Sequence, residues 1–134
     1  MAVYTEISNE DLSNFVRKYD IGDTLSAQGI VEGVENSNYL LKTTSGSFIL
    51  TLYEKRVNPE DLPFFLCLKE HLAARGLPCP SPLRDLNGDV LHYLSNRPAA
   101  IVTFLKGSSP CRINLDHCAQ LGIALAKMHV AGSD

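Results

Sequence analysis

A nearly continuous apolar run at residues 99–105 constrains the fold more than any other feature of this chain. The run is too short to span a bilayer. It also lacks the polar alternation of a strand that has one face in water. A run of this kind suits a strand buried on both faces, so the chain is predicted to place it inside a sheet.

Three further strand patterns precede this run, at residues 25–34, 39–44 and 48–53. The first two are separated by residues 35–38, whose Glu-Asn-Ser-Asn composition is typical of a turn. Ser45-Gly46 provides a tight reversal before the third, so the three strands are predicted to form an antiparallel meander. Asn87-Gly88, ahead of an apolar stretch at residues 90–93, predicts a hairpin.

Two helix patterns flank the meander. Ser8 has the residue type of an N-cap and precedes a short helix. The second helix is predicted to begin after either Asn58 or Asp61, and Pro63 favours the later start because proline is best tolerated in a first turn. Gly76 stands where a helix-terminating glycine belongs.

The pattern changes after residues 106–110, a Lys-Gly-Ser-Ser-Pro linker. Asn114 can cap a last helix that runs to about residue 130. Its apolar stripe has helical spacing and consists of Leu115, Cys118, Leu121, Leu125 and Met128. We therefore predict an α+β chain with a sheet of about five antiparallel strands, followed by the first helix of an otherwise absent second lobe.

The composition is that of an ordinary globular domain, with 134 residues and 45% apolar content. The net charge of −3 favours neither nucleic acid nor an anionic membrane as a partner. The N-terminus lacks the basic and apolar regions of a signal peptide, so we expect a cytoplasmic protein. The four cysteines have no zinc-site spacing and are expected to be reduced thiols used as small apolar residues.

Several motifs are more specific than this outline. They include Gly-Val-Glu-Asn-Ser-Asn-Tyr at the first turn and Leu-Gly-Ile-Ala-Leu-Ala-Lys-Met-His in the last helix. The segments concerned are residues 33–39, 48–56, 61–66, 77–80, 97–102 and 121–129. On these segments the chain resembles type II bacterial homoserine kinases, which are part of the aminoglycoside phosphotransferase and choline kinase-like superfamily.

The resemblance implies a protein-kinase-like small lobe at residues 1–105. It implies, at residues 106–134, a linker and the first helix of an incomplete substrate and catalytic lobe. The implied reaction transfers the γ-phosphate of ATP, with Mg²⁺, to the side-chain hydroxyl of L-homoserine on the route to threonine.

The family's His-x-Asp-x-x-x-x-Asn catalytic segment does not occur in this sequence. We therefore assign no catalytic residue and no metal ligand within the chain, and we expect the magnesium ligands in the absent lobe. Because those groups stabilise the transferring phosphoryl, the 134 residues alone are predicted to be inactive.

The resemblance also implies that the first turn lies over the nucleotide phosphates. Backbone N–H groups and polar side chains would bind there, the implied residues being Gly33, Val34, Glu35, Asn36, Ser37 and Asn38. A plain hairpin turn would use the same residue types. Kinase-like folds usually place a basic residue in the third strand, but Thr51 occupies the matching position. Lys55 and Arg56 are candidate phosphate contacts, with a solvated charge pair as the alternative.

The segment after the buried strand resembles the hinge that pairs with adenine. Backbone groups of Thr103, Phe104 and Leu105 would bind the base there. Val34 and Leu50 would enclose the ring, and Ile101 would border its back edge, because adenine needs an apolar slot with a few aimed polar groups. The alternative is that these are ordinary core side chains.

Two other functions stay open at this point. The first is a kinase of the same fold acting on another small hydroxyl compound, such as choline or an aminoglycoside, because the acceptor pocket lies mostly in the absent lobe. The second is a non-enzymatic module that binds a nucleotide or a protein partner. The uncovered stripe of the last helix would then favour self-association.

Overall fold

The computed structural model describes residues 5–33 and 35–133. The elements are α1 (Asn9–Val16), β1 (Thr24–Gly29), β2 (Ser37–Thr43), β3 (Gly46–Leu52), a 3₁₀ turn (Pro59–Asp61), α2 (Leu62–Ala74), β4 (His92–Leu94), β5 (Arg97–Thr103) and α3 (Leu115–Ala131). In the described part of the chain, no helix is long and apolar enough to cross a membrane.

The strands form one antiparallel sheet of five in the order β1-β2-β3-β5-β4, which confirms the predicted fold class. The meander is joined by β5, whose long apolar run pairs with the central strand β3. The run was predicted to be buried on both faces, and residues 98–102 of β5 are buried.

The first face of the sheet lies under α1. This helix begins at the predicted cap, where the Ser8 side chain accepts a hydrogen bond from the Asp11 N–H at 3.2 Å. Alternate residues of the strands face this helix. The helix and strand residues form one buried cluster, which consists of Leu12, Phe15, Val16, Tyr19, Ile21, Tyr39, Leu41, Leu50, Leu52, Leu94, Ala99 and Ile101. Burial of this apolar surface is the main stabilising contribution to the fold.

The second face contains the intervening residues of the same strands. Thr51, Ala100 and Val102 are buried on it, yet none belongs to the cluster under α1. The buried side chains of α2, Leu62, Leu66 and Leu72, are also outside that cluster. Of the described helices, only α1 therefore contributes to the cluster on the first face.

Two strand boundaries and one hairpin differ from the prediction. β1 ends at Gly29 rather than at residue 34, and β2 begins at Ser37, because residues 37 and 38 continue to pair with β3. The turn between β4 and β5 is at Ser95 and Asn96, with φ of 52° and 63°, and not at Asn87-Gly88. The Asn87-Gly88 pair lies in a separate turn between Asp85 and Asp89.

The remaining predicted helix ends are confirmed. Asn58 caps the 3₁₀ turn through its side chain, and Asp61 precedes α2, so both proposed starts are used. Gly76 follows α2 with φ of +86°, a conformation that favours glycine. Asn114 caps α3 by accepting from the His117 N–H at 2.8 Å.

Candidate functional site

The loop between β1 and β2, residues 30–36, stands at one end of the sheet. The Ile30 N–H donates to the Asn38 carbonyl at 2.9 Å and closes the ladder below the loop. Gly33 has φ of +102°, and a Cβ added there would have no described heavy atom within 4 Å. Gly33 is therefore required by its backbone conformation and leaves open space above it. Val34, a member of the predicted site, lies outside the described residues.

The base of this loop is held by the buried carboxylate of Glu54. Its Oε1 accepts hydrogen bonds from the hydroxyls of Ser37 at 2.7 Å and Thr5 at 2.6 Å. Its Oε2 lies 3.2 Å from Arg97 Nε. The Glu54 N–H donates to the Asn36 side chain at 3.3 Å. The Glu54 carboxylate thus connects the N-terminal segment, the start of β2 and β5, and its backbone N–H holds Asn36 of the loop.

The hydrogen bonds around Glu54 give Ser37 a structural role. Ser37 is fully buried, with 0% exposure, and its hydroxyl donates to Glu54. The hydroxyl supports the loop from below, and its burial leaves no surface for a ligand. Asn36 uses its side-chain oxygen for the Glu54 N–H and is partly exposed, as is Asn38.

Asn38 and Thr51 lie opposite each other in the register of β2 and β3, on the second face of the sheet. The Thr51 Oγ1 donates to the Asn38 Oδ1 at 2.8 Å. The resemblance predicts that Thr51 matches the lysine or arginine of kinase-like folds. In the structure its hydroxyl is part of an amide–hydroxyl pair with Asn38.

The two basic candidates follow β3, and Arg56 contacts the loop. Arg56 Nη1 is 3.8 Å from Glu35 Oε1, with the two side chains 74% and 58% exposed. An ion pair this exposed contributes at most about 1 kcal/mol, because water screens it. Lys55 is also exposed. Both cations remain accessible to a ligand at the loop.

The segment after β5 stands at the other end of the sheet. The Thr103 N–H donates to the Ser81 carbonyl at 2.9 Å, and its Oγ1 accepts from the Ser81 N–H at 2.9 Å. The backbone donor of Thr103 is therefore already used. Phe104 and Leu105 are 40% and 46% exposed, outside the strand.

The apolar residues predicted around adenine divide between the two faces. Leu50 and Ile101 each have 0% exposure and belong to the cluster under α1, so neither has free surface for a ligand. Their neighbours Ile49 and Val102 pair with each other on the second face, and Ile49 is partly exposed. Sequence reasoning missed this pair because the apolar run offers no alternation that would tell one face from the other.

The loop and the segment after β5 lie at opposite ends of the same strands. Residue 37, at the loop, pairs with Leu52, whereas Thr103 pairs with Phe48. Four residue steps of β3 separate these levels, roughly 13 Å at about 3.3 Å per residue. Ile49 and Thr51 lie between them on the second face. This face offers an apolar area toward one end and hydrogen-bonding groups toward the other.

The tyrosines beside the loop stay neutral. Burial, with added effects of Glu6 and Glu54, raises the pKa of Tyr39, whose hydroxyl donates to the Thr5 carbonyl at 2.5 Å. Burial also raises the pKa of Tyr53. These phenols are donors and structural groups, and they are unsuited to act as bases near neutral pH.

Helix α3 has no buried residue. Its C-terminal end contacts α2, where His71 Nε2 lies 3.0 Å from the Ala131 carbonyl oxygen. Between α3 and residues 77–79 there is an apolar groove of about 450 Å³. The predicted stripe of the helix is accordingly exposed, with Leu115 at 89% and Leu121 at 61%.

Within the described residues, no group of three or more His, Cys, Asp or Glu side chains could hold a metal ion. All four cysteines are free thiols. Cys67, Cys111 and Cys118 are exposed, so the prediction that cysteines serve as buried apolar residues is wrong for these three.

Comparison with protein families assigns the chain. The model of the phosphotransferase enzyme family matches residues 26–133, from β1 to the end of α3. The chain belongs to this family. The match includes the loop, the Asn38–Thr51 pair and the segment after β5, so the candidate site lies within the part that defines the membership.

Several curated relatives are named "Homoserine kinase". The chain is 62% identical to those of Paramagnetospirillum magneticum and Rhodospirillum rubrum, and 60% identical to that of Nitrobacter winogradskyi, in each case over all 134 residues. It spans only 41% to 42% of the length of these relatives.

A solved structure has the same fold. The chain matches the spectinomycin phosphotransferase APH(9)-Ia, in complex with ADP and spectinomycin, with a TM-score of 0.73 and 18% sequence identity. The match covers 97% of this chain and 40% of that one. The five-stranded sheet and its helices are therefore those of the small lobe of the aminoglycoside phosphotransferase and kinase-like fold.

Proposed function

We propose that the full-length protein transfers the γ-phosphate of ATP to the side-chain hydroxyl of L-homoserine, a step of threonine biosynthesis in the cytoplasm. The observation that supports this most strongly is the identity of about 60% to proteins named homoserine kinase along the whole chain. Membership in the phosphotransferase family agrees with it.

In this proposal the described residues hold the nucleotide on the second face of the sheet. Adenine would pack against the partly exposed Ile49 and pair with the backbone of Phe104 and Leu105, because the Thr103 N–H is already bonded to Ser81. The phosphates would extend toward the loop at Gly33, where Lys55 and Arg56 provide positive charge. The relative solved with ADP supports nucleotide use by this fold.

The proposed domain organisation follows from the same geometry. Residues up to 105 form the nucleotide-binding lobe, and residues 106–134 lead through α3 into the substrate and catalytic lobe. The exposed apolar side of α3 and the groove beside residues 77–79 would be covered by that lobe. In the absence of such cover, the same surface would support self-association. The ligands of Mg²⁺, which would neutralise phosphate charge, are proposed to come from the second lobe.

Another small hydroxyl compound is the alternative acceptor. The relative of known structure is named for spectinomycin, although at 18% identity it supports only the fold. The 62% relatives favour homoserine. A non-enzymatic module is the remaining alternative.

The test is an acceptor panel with the full-length protein, ATP and Mg²⁺. L-Homoserine, choline, an aminoglycoside and spectinomycin are compared by acceptor-dependent ADP release and by the mass of the phosphorylated product. We expect turnover with homoserine well above the others. Turnover with a different acceptor would overturn the substrate, and nucleotide binding without any transfer would favour the module. The 134 residues alone are expected to show no turnover.

A further inference from the structure

The Asn38–Thr51 pair fixes the direction of one amide group. The Thr51 hydroxyl donates to Asn38 Oδ1 at 2.8 Å, so the planar amide is held with its oxygen toward Thr51 and its Nδ2 away from it. Within residues 5–33 and 35–133, Nδ2 has no hydrogen-bond partner. Two N–H donors therefore remain for a ligand.

The backbone under this amide is rigid. Asn38 follows the fully buried Ser37, which is bonded to Glu54. The Asn38 carbonyl accepts from Ile30, and the residue pairs with Thr51 in the sheet. Thr51 itself is only 8% exposed, so its hydroxyl cannot turn freely toward water. The donor is thus preorganised before any ligand arrives.

The location of the donor selects its ligand. Asn38 is partly exposed, begins the second face at the loop end and lies beyond the apolar Ile49–Val102 pair. An elongated ligand with its apolar part at that pair would bring an oxygen-rich part to Asn38. Two fixed amide hydrogens suit oxyanions, which accept hydrogen bonds and offer none.

We propose that Asn38 Nδ2 binds a phosphate oxygen of the nucleotide and that Thr51 is the positioning residue for this amide. A neutral amide of β2, held by Thr51 of β3, then takes the role of the basic residue that is usual in the third strand, and the positive charge comes from elsewhere in the site. This inference rests on the proposed nucleotide binding, and it names the group that takes the place of the missing cation.

The decisive variant is Asn38→Asp in the full-length protein. An aspartate oxygen still accepts from the Thr51 hydroxyl, so the internal bond stays, while the outward donor becomes a carboxylate that repels phosphate. We expect the Kd for ATP and ADP to rise about tenfold or more and that for adenosine to change less than about twofold. Asn14→Asp makes the same charge change on the exposed side of α1 and is expected to leave all three affinities unchanged.

Thr51 is tested with two variants of different chemistry. Thr51→Val keeps the shape but removes the donor, which frees the amide to rotate, and the KM for ATP is expected to rise about threefold to tenfold with kcat little changed. Thr51→Ser keeps the hydroxyl and is expected to restore the KM to within about twofold of the unmodified protein. A merely structural role would not separate these two variants.

Three outcomes would overturn the inference in distinguishable ways. ATP affinity of Asn38→Asp equal to that of the unmodified protein would exclude the phosphate contact. An equal loss for ATP and adenosine, together with a lower melting temperature, would show that the pair is structural. Absence of ATP, ADP and adenosine binding by the unmodified full-length protein would overturn the proposed function itself.

Discussion

The two faces of the sheet use neighbouring residues of the same strands in different ways. Under α1, Leu50 and Ile101 are fully buried in an apolar cluster. On the second face, Ile49 is partly exposed, and the Thr51 hydroxyl is bonded to Asn38. The first face stabilises the fold, and the second combines apolar surface with directed donors. Adjacent residues of one strand are therefore expected to affect different properties.

The sharpest test of this difference compares Leu50→Ala with Ile49→Ala. Leu50 has 0% exposure, so its truncation leaves a cavity and is expected to lower the free energy of unfolding by about 2–5 kcal/mol. Ile49 is partly exposed, and its truncation is expected to cost about 1–2 kcal/mol. Urea denaturation measures both values.

Nucleotide binding should show the reverse order. Ile49→Ala removes proposed contact surface and is expected to weaken adenosine binding about threefold or more. Leu50→Ala, assayed where it is still folded, should retain the affinity of the unmodified protein. Equal destabilisation by the two variants, or a greater binding loss in Leu50→Ala, would contradict the division between the faces.

A second and smaller effect is expected at Glu54, which connects the N-terminal segment, the start of β2 and β5 at the base of the loop. Glu54→Gln keeps the shape but removes the charge facing Arg97, whose side chain is 36% exposed. We expect the free energy of unfolding to fall by about 1–3 kcal/mol, because charge-assisted hydrogen bonds are replaced by neutral ones.

The same variant should also loosen the loop. We expect a several-fold rise in the KM for ATP in the full-length protein, since Glu54 positions Ser37 and Asn36 without being placed against the nucleotide. Glu60→Gln, at an exposed residue of the 3₁₀ turn, is the matched control. A KM unchanged in Glu54→Gln, despite lower stability, would show that the network supports the fold but does not position the loop.

Local signals in the sequence were sufficient for most of the fold. Ser8, Gly76 and Asn114 identified helix ends because capping depends on neighbouring residues alone. The apolar run identified β5 because a strand that is buried on both faces has apolar residues at consecutive positions. The motifs at the loop and in the last helix pointed to the family, which the comparison confirms.

The site was harder to predict from the sequence because it depends on pairing between residues that are distant along the chain. Ser37 is a residue type common in turns, yet it pairs with Leu52 and is the first residue of β2. Its hydroxyl donates to Glu54. Apolar residues occur consecutively in β3, so no alternation distinguished Leu50 from Ile49. The hairpin turn at Ser95 has a weaker signal than Asn87-Gly88, whose Asn-Gly type is the stronger predictor of a hairpin.

A buried contact between Asp85 and His92 also closes the first face at its edge. Asp85 Oδ2 lies 2.9 Å from His92 Nε2, and the His92 ring packs against Phe15 and Tyr19 with ring centroids 5.9 and 5.7 Å apart. The turn at Asn87 contributes a backbone N–H to Asp85 Oδ1 at 2.9 Å. No comparable pair closes the second face among the described residues.

The smallest predicted effect concerns this pair at low pH. Burial alone would raise the pKa of Asp85, but the backbone N–H groups of Asp89 and Asn87, together with His92, bring the pKa below its usual value. A lowered pKa in the folded state adds stability above the unfolded pKa of about 3.9, and that stability is lost as the pH falls through the lower folded value.

Asp85→Asn keeps an oxygen for both N–H groups but cannot titrate, so its melting temperature should fall less steeply than that of the unmodified protein between about pH 5 and pH 2. Asp20→Asn, an exposed control, should keep the original slope, and a slope unchanged in Asp85→Asn would show that acid acts on the protein through other groups.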